Sequence, residues 1–242
     1  MNNPGQMDFV LAERRRIQIE YERRQRDVSP DRYAAWQPAS RFMIEERRRK
    51  ALAMLSEAKI VLTDSSPCLE VGVGTHGWLS ELSAWGVQES NLNGIDLDPA
   101  RVLKARELFP QADLRIGDAV ELPWHAERFS LVIASTLFTS ILDGKVRKLI
   151  ASEIERVLAP GGALVFYDFC FDNPRNPNVR GIGRSELRNL FPKLSGRIRS
   201  VTLAPPLTRL LAPRSLRLAT LLSGIPLLRT HLLAVLIKSD HQ

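Results

Sequence analysis

The run Cys68-Leu69-Glu70-Val71-Gly72-Val73-Gly74-Thr75-His76-Gly77-Trp78 is where this chain best supports ligand binding through bare backbone. Gly72 and Gly74 permit a tight turn and close main-chain approach to a ligand, and Gly77 lets a following helix pack on the preceding strand. Unpaired N–H groups at the start of that helix favour an anionic group such as a carboxylate. Asp96, in Gly94-Ile95-Asp96-Leu97-Asp98-Pro99, lies about 20 residues further on, the separation at which a carboxylate accepts both hydroxyls of a ribose. Gly117-Asp118-Ala119 supplies a short acceptor suited to an adenine amino group, and Leu158-Ala159-Pro160-Gly161-Gly162 turns a helix into a strand. The Gly-x-Gly-x-x-Gly pattern alone fits an ordinary strand-to-helix turn or a dinucleotide site equally well.

A second set of residues could act on a substrate. Asp168, in Phe166-Tyr167-Asp168-Phe169, is the best candidate for a general base; a carboxylate capping the next loop is the alternative. Tyr167 lines the same pocket or belongs to the core. Asn173, Arg175, Asn176, Asn178 and Arg180 follow directly, a donor-rich stretch suited to sugar hydroxyls or phosphate, or simply a surface loop of good turn formers. Tyr33 and Trp36 could close over cofactor and substrate, although a Trp beside a Pro more often anchors one part of a fold to another. His76, His125 and His231 are scattered, and no His/Asp/Glu set has metal-ligand spacing, so no metal is expected.

Strand ends must bring these groups together. Residues 57–171 alternate short apolar runs with helical patterns. Strands are expected at Pro67–Val71, Leu92–Ile95, Leu114–Ile116, Leu131–Ala134 and Ala163–Phe169. Helices are expected at Gly77–Trp85, Pro99–Leu108 and Lys145–Leu158. The strands are continuously apolar, which means both sheet faces are covered, and their alternation with helices gives a parallel sheet. Residues 1–56, rich in Arg and Glu and broken at Ser29-Pro30 and Gln37-Pro38, read as an N-terminal helical cap. Beyond residue 171 a helix at Ser185–Leu190, strands at Ile198–Leu203 and His231–Ile237, and a Leu/Arg-rich stretch at Leu207–Leu222 complete the chain. The whole is expected to be α/β: a doubly wound, mostly parallel seven-stranded sheet, with residues 172–230 as substrate loop and lid.

The 242 residues suffice for one such domain with an added segment. No apolar run reaches the roughly 18 residues of a membrane span, and the charged N-terminus is unlike a secretory signal. Cys68 and Cys170 read as reduced core thiols of a cytoplasmic protein. The net charge of +7 concentrates in the C-terminal third. That suits an anionic partner such as a phosphorylated substrate, a lipid headgroup or RNA; a solvated basic face explains it equally well.

Taken in order, Glu70-Val71-Gly72-Val73-Gly74, Gly94-Ile95-Asp96, Gly117-Asp118-Ala119 and Arg156-Val157-Leu158-Ala159-Pro160-Gly161-Gly162 resemble the motifs of class I S-adenosylmethionine-dependent methyltransferases. The resemblance implies S-adenosyl-L-methionine as cofactor. It implies that Glu70 orients the turn and reaches the methionine amino group, and that Gly72 and Gly74 meet the methionine part. Asp96 then holds the ribose, Leu97 flanks the adenine, and Asp118 with Ala119 reads its edge. The chain departs from the pattern at His76, where a third glycine is frequent, at Val73, and at Ser130. A looser likeness of residues 33–38 and 172–191 to methyltransferases of polysaccharide and secondary-metabolite pathways implies O-methylation of a small-molecule or carbohydrate hydroxyl.

Two other enzyme readings compete. A nicotinamide-dependent oxidoreductase shares the glycines and Asp96 but lacks a Tyr-x-x-x-Lys pair. An RNA methyltransferase would use the basic tail, yet no RNA-binding module or Asn/Asp-Pro-Pro-Tyr/Phe motif is present, and no nucleic-acid partner is expected. A non-catalytic binding module on the same fold is the fourth reading. Leu207–Leu228 suits a lid packed on its own domain, or a weak contact with a membrane surface.

Overall fold

Capping chemistry and turn formers set the element boundaries in this computed structural model, which describes residues 4–27, 29, 31, 34–74, 77–174 and 176–239. Two helices come first, α1 (Pro4–Asp27) and α2 (Pro38–Glu57), the second opening on the proline expected to break the pattern. They are followed by β1 (Cys68–Val71), α3 (Leu79–Ala84), β2 (Leu92–Asp96), α4 (Pro99–Leu108), β3 (Asp113–Ile116), β4 (Phe129–Ser135), α5 (Gly144–Val157) and β5 (Leu158–Phe169). Asp98 caps α4 by accepting from the Ala100 N–H, with Pro99 in the first turn; Asp143 caps α5 through the Lys145 and Val146 N–H groups. The chain ends with α6 (Arg184–Leu190), β6 (Leu194–Leu203), α7 (Pro205–Leu211), α8 (Leu216–Ser223) and β7 (Arg229–Lys238).

The seven strands form one sheet in the order β3-β2-β1-β4-β5-β7-β6. Pairing is parallel from β3 through β5, while β7 runs antiparallel to both β5 and β6. The sheet is therefore mixed. The order reverses between β1 and β4, so a crevice opens there beyond the carboxyl ends of the strands.

Alternate residues of each central strand feed two cores, as a doubly wound sheet requires. Leu69, Val71, Val132, Ala134, Leu164 and Phe166 pack with α5 and α6. Cys68, Leu131, Ile133, Val165 and Tyr167 pack with α2, α3 and α4. The N-terminal stretch is not a single cap: Ile17 of α1 joins the first core, whereas Ala51, Met54 and Leu55 of α2 join the second.

Several boundaries differ from the sequence reading. α3 begins two residues late because the Trp78 N–H is taken by the Glu70 carboxylate, which keeps Gly77 and Trp78 in the turn. β5 begins at Leu158, opposite Phe129, and a register shift between Phe129 and Leu131 absorbs Pro160-Gly161-Gly162. The Leu207–Leu222 stretch is two short helices, parted around Pro213. Cys68 is a buried thiol pushed up to about 12 by burial, but Cys170 is only half-buried and is not a core residue.

Candidate functional site

The turn after β1 needs its glycines. Gly72 and Gly74 have φ of 81° and 59°, in the left-handed region that a side chain disfavours. The Gly72 and Val73 N–H groups donate to the Ile95 carbonyl at 2.8 and 3.2 Å, which stitches the turn to β2. The Gly74 N–H donates to Asp96 Oδ2 at 2.9 Å, and the Asp98 N–H to Asp96 Oδ1 at 2.9 Å. Asp96 is thus fixed at the β2 tip with its carboxylate against the turn.

Glu70 lies beneath that turn. Its carboxylate accepts the Trp78 N–H at 2.7 and 2.8 Å and the Leu79 N–H at 3.2 Å. A Cβ on Gly77 would stand 2.6 Å from Glu70 Oε2, so the third glycine makes room for this acid. Burial pushes the Glu70 carboxyl up to about 8, against the pull of the Trp78 N–H and of Arg47. Val73 is accommodated because residue 94 is Gly; a Cβ there would meet Val73 Cγ2 at 2.6 Å.

A cavity of about 40 Å³ opens at this edge. Gly72, Asp96, Leu97, Asp118 and Ala119 line it, five of the seven residues assigned to cofactor binding from the sequence. Of the other two, Gly74 touches it through Asp96, and Glu70 supports it from below. Asp118 is held by its acceptance of the Val120 N–H at 3.1 Å, and Gly117 by its donation to the Asp96 carbonyl.

The opposite wall is α1, a contribution the sequence reading did not assign. Val10, Glu13, Ile17 and Tyr21 face the cavity. Glu13 accepts the Leu142 N–H, Arg16 donates to the Ser140 carbonyl, and Asn178 Nδ2 donates to Glu20 at 2.8 Å. A hydrogen bond from Arg23 holds the Glu20 carboxyl down at about 2. Arg101 stacks on the Tyr21 ring, 4.1 Å from its centroid, while lying 3.8 Å from Asp96 and 3.3 Å from Asp98. Arg and Tyr scattered along a polar helix gave no sequence signal for this role.

The acceptor-side residues fare differently. Asp168 is buried, taking the Thr139 N–H at 3.1 Å, the Thr139 hydroxyl at 2.6 Å and the Phe169 N–H at 3.0 Å. Its partners thus come mainly from the loop after β4, with only the Phe169 N–H on the side of the following loop that the capping alternative names. Its carboxyl is pushed up to about 6 by burial, with Thr139 pulling the other way. Tyr167 is core: its hydroxyl pairs with Thr202 Oγ1 at 2.9 Å and its ring stacks on His231 at 4.8 Å between centroids. Burial holds the His231 imidazole neutral, down at about 3.

Trp36 is exposed at the surface, away from the cavity lining. Asn173 is an exposed turn residue whose carbonyl accepts the Asn176 N–H. Arg180 forms an ion pair with Glu186 at 2.7 Å, which commits its guanidinium to the fold. Tyr33, His76 and Arg175 lie outside the described residues.

Two arginines matter that the sequence did not reveal. Fully buried Arg147 donates to the Ile141 carbonyl, Glu186 and the Arg180 carbonyl at 2.7 to 2.8 Å, clamping the loop after β4 to the loop after β5. Arg47, from α2, lies 4.5 Å over the Trp78 ring and 3.5 Å from Ser135 Oγ at the end of β4. Among the described residues its buried Nε has no hydrogen-bond partner.

With this geometry in place, comparison decides the family. Residues 68–162 match a family model described as a methyltransferase domain. This segment is a methyltransferase domain. An uncharacterised methyltransferase-like protein of Schizosaccharomyces pombe is 29% identical over 106 residues, 44% of this chain. The match spans only 39% of that relative's length. The N-methyltransferase NodS from Bradyrhizobium japonicum, solved with S-adenosyl-L-homocysteine, superposes with a TM-score of 0.65 at 17% identity, covering 92% of this chain and 98% of its own. Geranyl diphosphate C-methyltransferase from Streptomyces coelicolor gives 0.59 at 15% identity, covering 81% and 77%. These structural likenesses concern the fold.

A methyltransferase domain implies S-adenosyl-L-methionine as its cofactor. The residues present fit it. Gly72 and Gly117 keep the wall bare, since a Cβ on either would meet Leu137 or Ile95 within about 3 Å. Asp96 and Asp118 line the same cavity with carboxylates that can accept hydrogen bonds.

Proposed function

We propose that the protein transfers a methyl group from S-adenosyl-L-methionine to a small-molecule acceptor, and that the acceptor atom is a hydroxyl oxygen of a carbohydrate or secondary metabolite. One observation carries the transfer reading: a cavity at the switch between β1 and β4, walled by Gly72, Asp96, Leu97, Asp118 and Ala119. In this reading Asp96 holds the ribose hydroxyls, Asp118 and Ala119 the adenine, and Leu97 its face. The unpartnered Arg47 Nε and the Trp78 ring beneath it suit the methionine carboxylate. When bound, the cofactor supplies an activated methyl group on a sulfonium. The protein need only align the acceptor and exclude water.

Drug-sized pockets run to roughly 300 Å³ or more, so the 40 Å³ beneath α1 is too small for the cofactor. In this account α1 shifts outward for binding and closes again over the adenosyl group.

The hydroxyl assignment rests on the donors of residues 173–178 next to β5. A second reading has a specific observation behind it. Asp168 already accepts three hydrogen bonds from Thr139 and Phe169, which favours an acceptor that needs no base, and a neutral amine is one. Incubation of the full chain with methyl-labelled cofactor and matched panels of sugar alcohols and amines, read by intact mass, tests both. Label on hydroxyl acceptors supports the first reading and label on amines alone the second. S-adenosylhomocysteine binding without label on any acceptor would leave only a binding module.

A further inference from the structure

The connection from β6 to β7 buries small residues, half-buries Leu207, Leu211, Leu222 and Leu228, and exposes six further large apolar ones. Thr208, Ala212, Ala219 and Ser223 face inward and are buried, α7 packing on α2 and α8 on β6. Leu210, Leu216, Leu218, Leu221, Ile225 and Leu227 face outward, with Leu221 71% and Leu227 92% exposed. The inner face is already closed by small side chains and the half-buried leucines. The six outward residues therefore do not serve the packing of their own domain, as the side chains of an ordinary lid would.

Charge narrows what the outer face meets. No Asp or Glu occurs between Leu187 and Ser239, while Arg214 and Arg217 stand exposed among the leucines. In a self-complementary dimer the same patch faces itself, so these arginines would meet their own copies with no carboxylate in the patch to pair them. An anionic bilayer takes both features: headgroups for the guanidiniums and the acyl boundary for the leucines. Among the described residues no helix is long and apolar enough to cross a membrane, so contact would lie in the surface plane.

Topology places this patch usefully. β6 runs parallel to β5, because β7 is antiparallel to both, and so ends at the carboxyl edge. The α7–α8 connection leaves from and returns to the edge that carries the cavity.

We propose that the outward face of α7, α8 and residues 225–227 seats the protein on an anionic lipid surface, reversibly, with Leu221 and Leu227 at its centre. The inference is independent of the acceptor assignment. Co-sedimentation of the full chain with phosphatidylcholine vesicles, with and without phosphatidylglycerol, tests it. The expected result is binding to the anionic vesicles that falls about tenfold without phosphatidylglycerol or in high salt. The double variants Leu221→Asp/Leu227→Asp and Arg214→Glu/Arg217→Glu should each lose about tenfold of that binding. All four side chains are exposed, so circular dichroism and the melting midpoint should stay at wild-type values. Three outcomes would overturn the proposal: no sedimentation with anionic vesicles, binding that both double variants retain, or a vesicle-indifferent dimer that Leu227→Asp dissociates.

Discussion

Asp96 serves two purposes with one carboxylate. It fixes the glycine turn through the Gly74 N–H and lines the cavity, where the proposed function gives it the ribose. Asp96→Ala should weaken S-adenosylhomocysteine binding at least a hundredfold, since hydrogen bonds to a charged group contribute about 1.5–3 kcal/mol each; calorimetry reads this directly. Arg47→Met should raise the cofactor KM about tenfold with little change in kcat; an unchanged KM removes the carboxylate assignment. Asp168 gives a pH signature. Its folded-state pKa, about 6, lies above the ordinary carboxylate value of 3.8. Its contribution to stability is therefore greatest at low pH and is lost as pH rises from about 4 to about 6. The stability of the wild type minus that of Asp168→Asn should fall by about 3 kcal/mol across that window, measured by urea unfolding. Turnover of Asp168→Asn should stay within about tenfold of wild type, whereas loss of a true base costs about 10²–10⁴-fold. The sequence showed an acid at a strand end. It did not show that Thr139, 29 positions away, turns both of its donors onto it.

At the scale of elements, α1 walls the cavity. Its Ile17 is buried against the sheet edge, and Glu13 and Arg16 tie it to the loop after β4. Ile17→Ala should remove about 2–5 kcal/mol of packing. Hydrogen exchange across α1 should then speed up, while the amides of β1 and β4 keep their protection. Added S-adenosylhomocysteine should slow exchange in α1 of the wild type; exchange in α1 indifferent to the ligand would show that the helix does not cover it. The strands, α4 and α5 were legible because a continuous apolar run or an Asp cap is a local signal. The placement of α1 was not, because its stripe is mostly Arg and Glu that pair along their own helix, as Glu20 does with Arg23 and Arg24. The Leu/Arg stretch was legible as helical but not in orientation: its fully buried residues are small, so periodicity alone puts the leucines inside.

Across the whole molecule, part of the basic C-terminal third is paired within the fold. Arg197 and Arg199 pair with Glu57, Arg180 with Glu186, and Arg229 caps the Ser223 and Gly224 carbonyls. The net charge of +7 is thus partly offset by local ion pairs. What unites the proposal is a mixed sheet whose switch point carries bare backbone and two carboxylates, walled by α1, as the site of one nucleoside. Calorimetric titration of the full chain with S-adenosylhomocysteine and, separately, with NADH and NADPH tests that claim most directly. The account predicts saturable binding of S-adenosylhomocysteine alone, lost in Asp96→Ala; binding of a nicotinamide nucleotide without S-adenosylhomocysteine binding would contradict it.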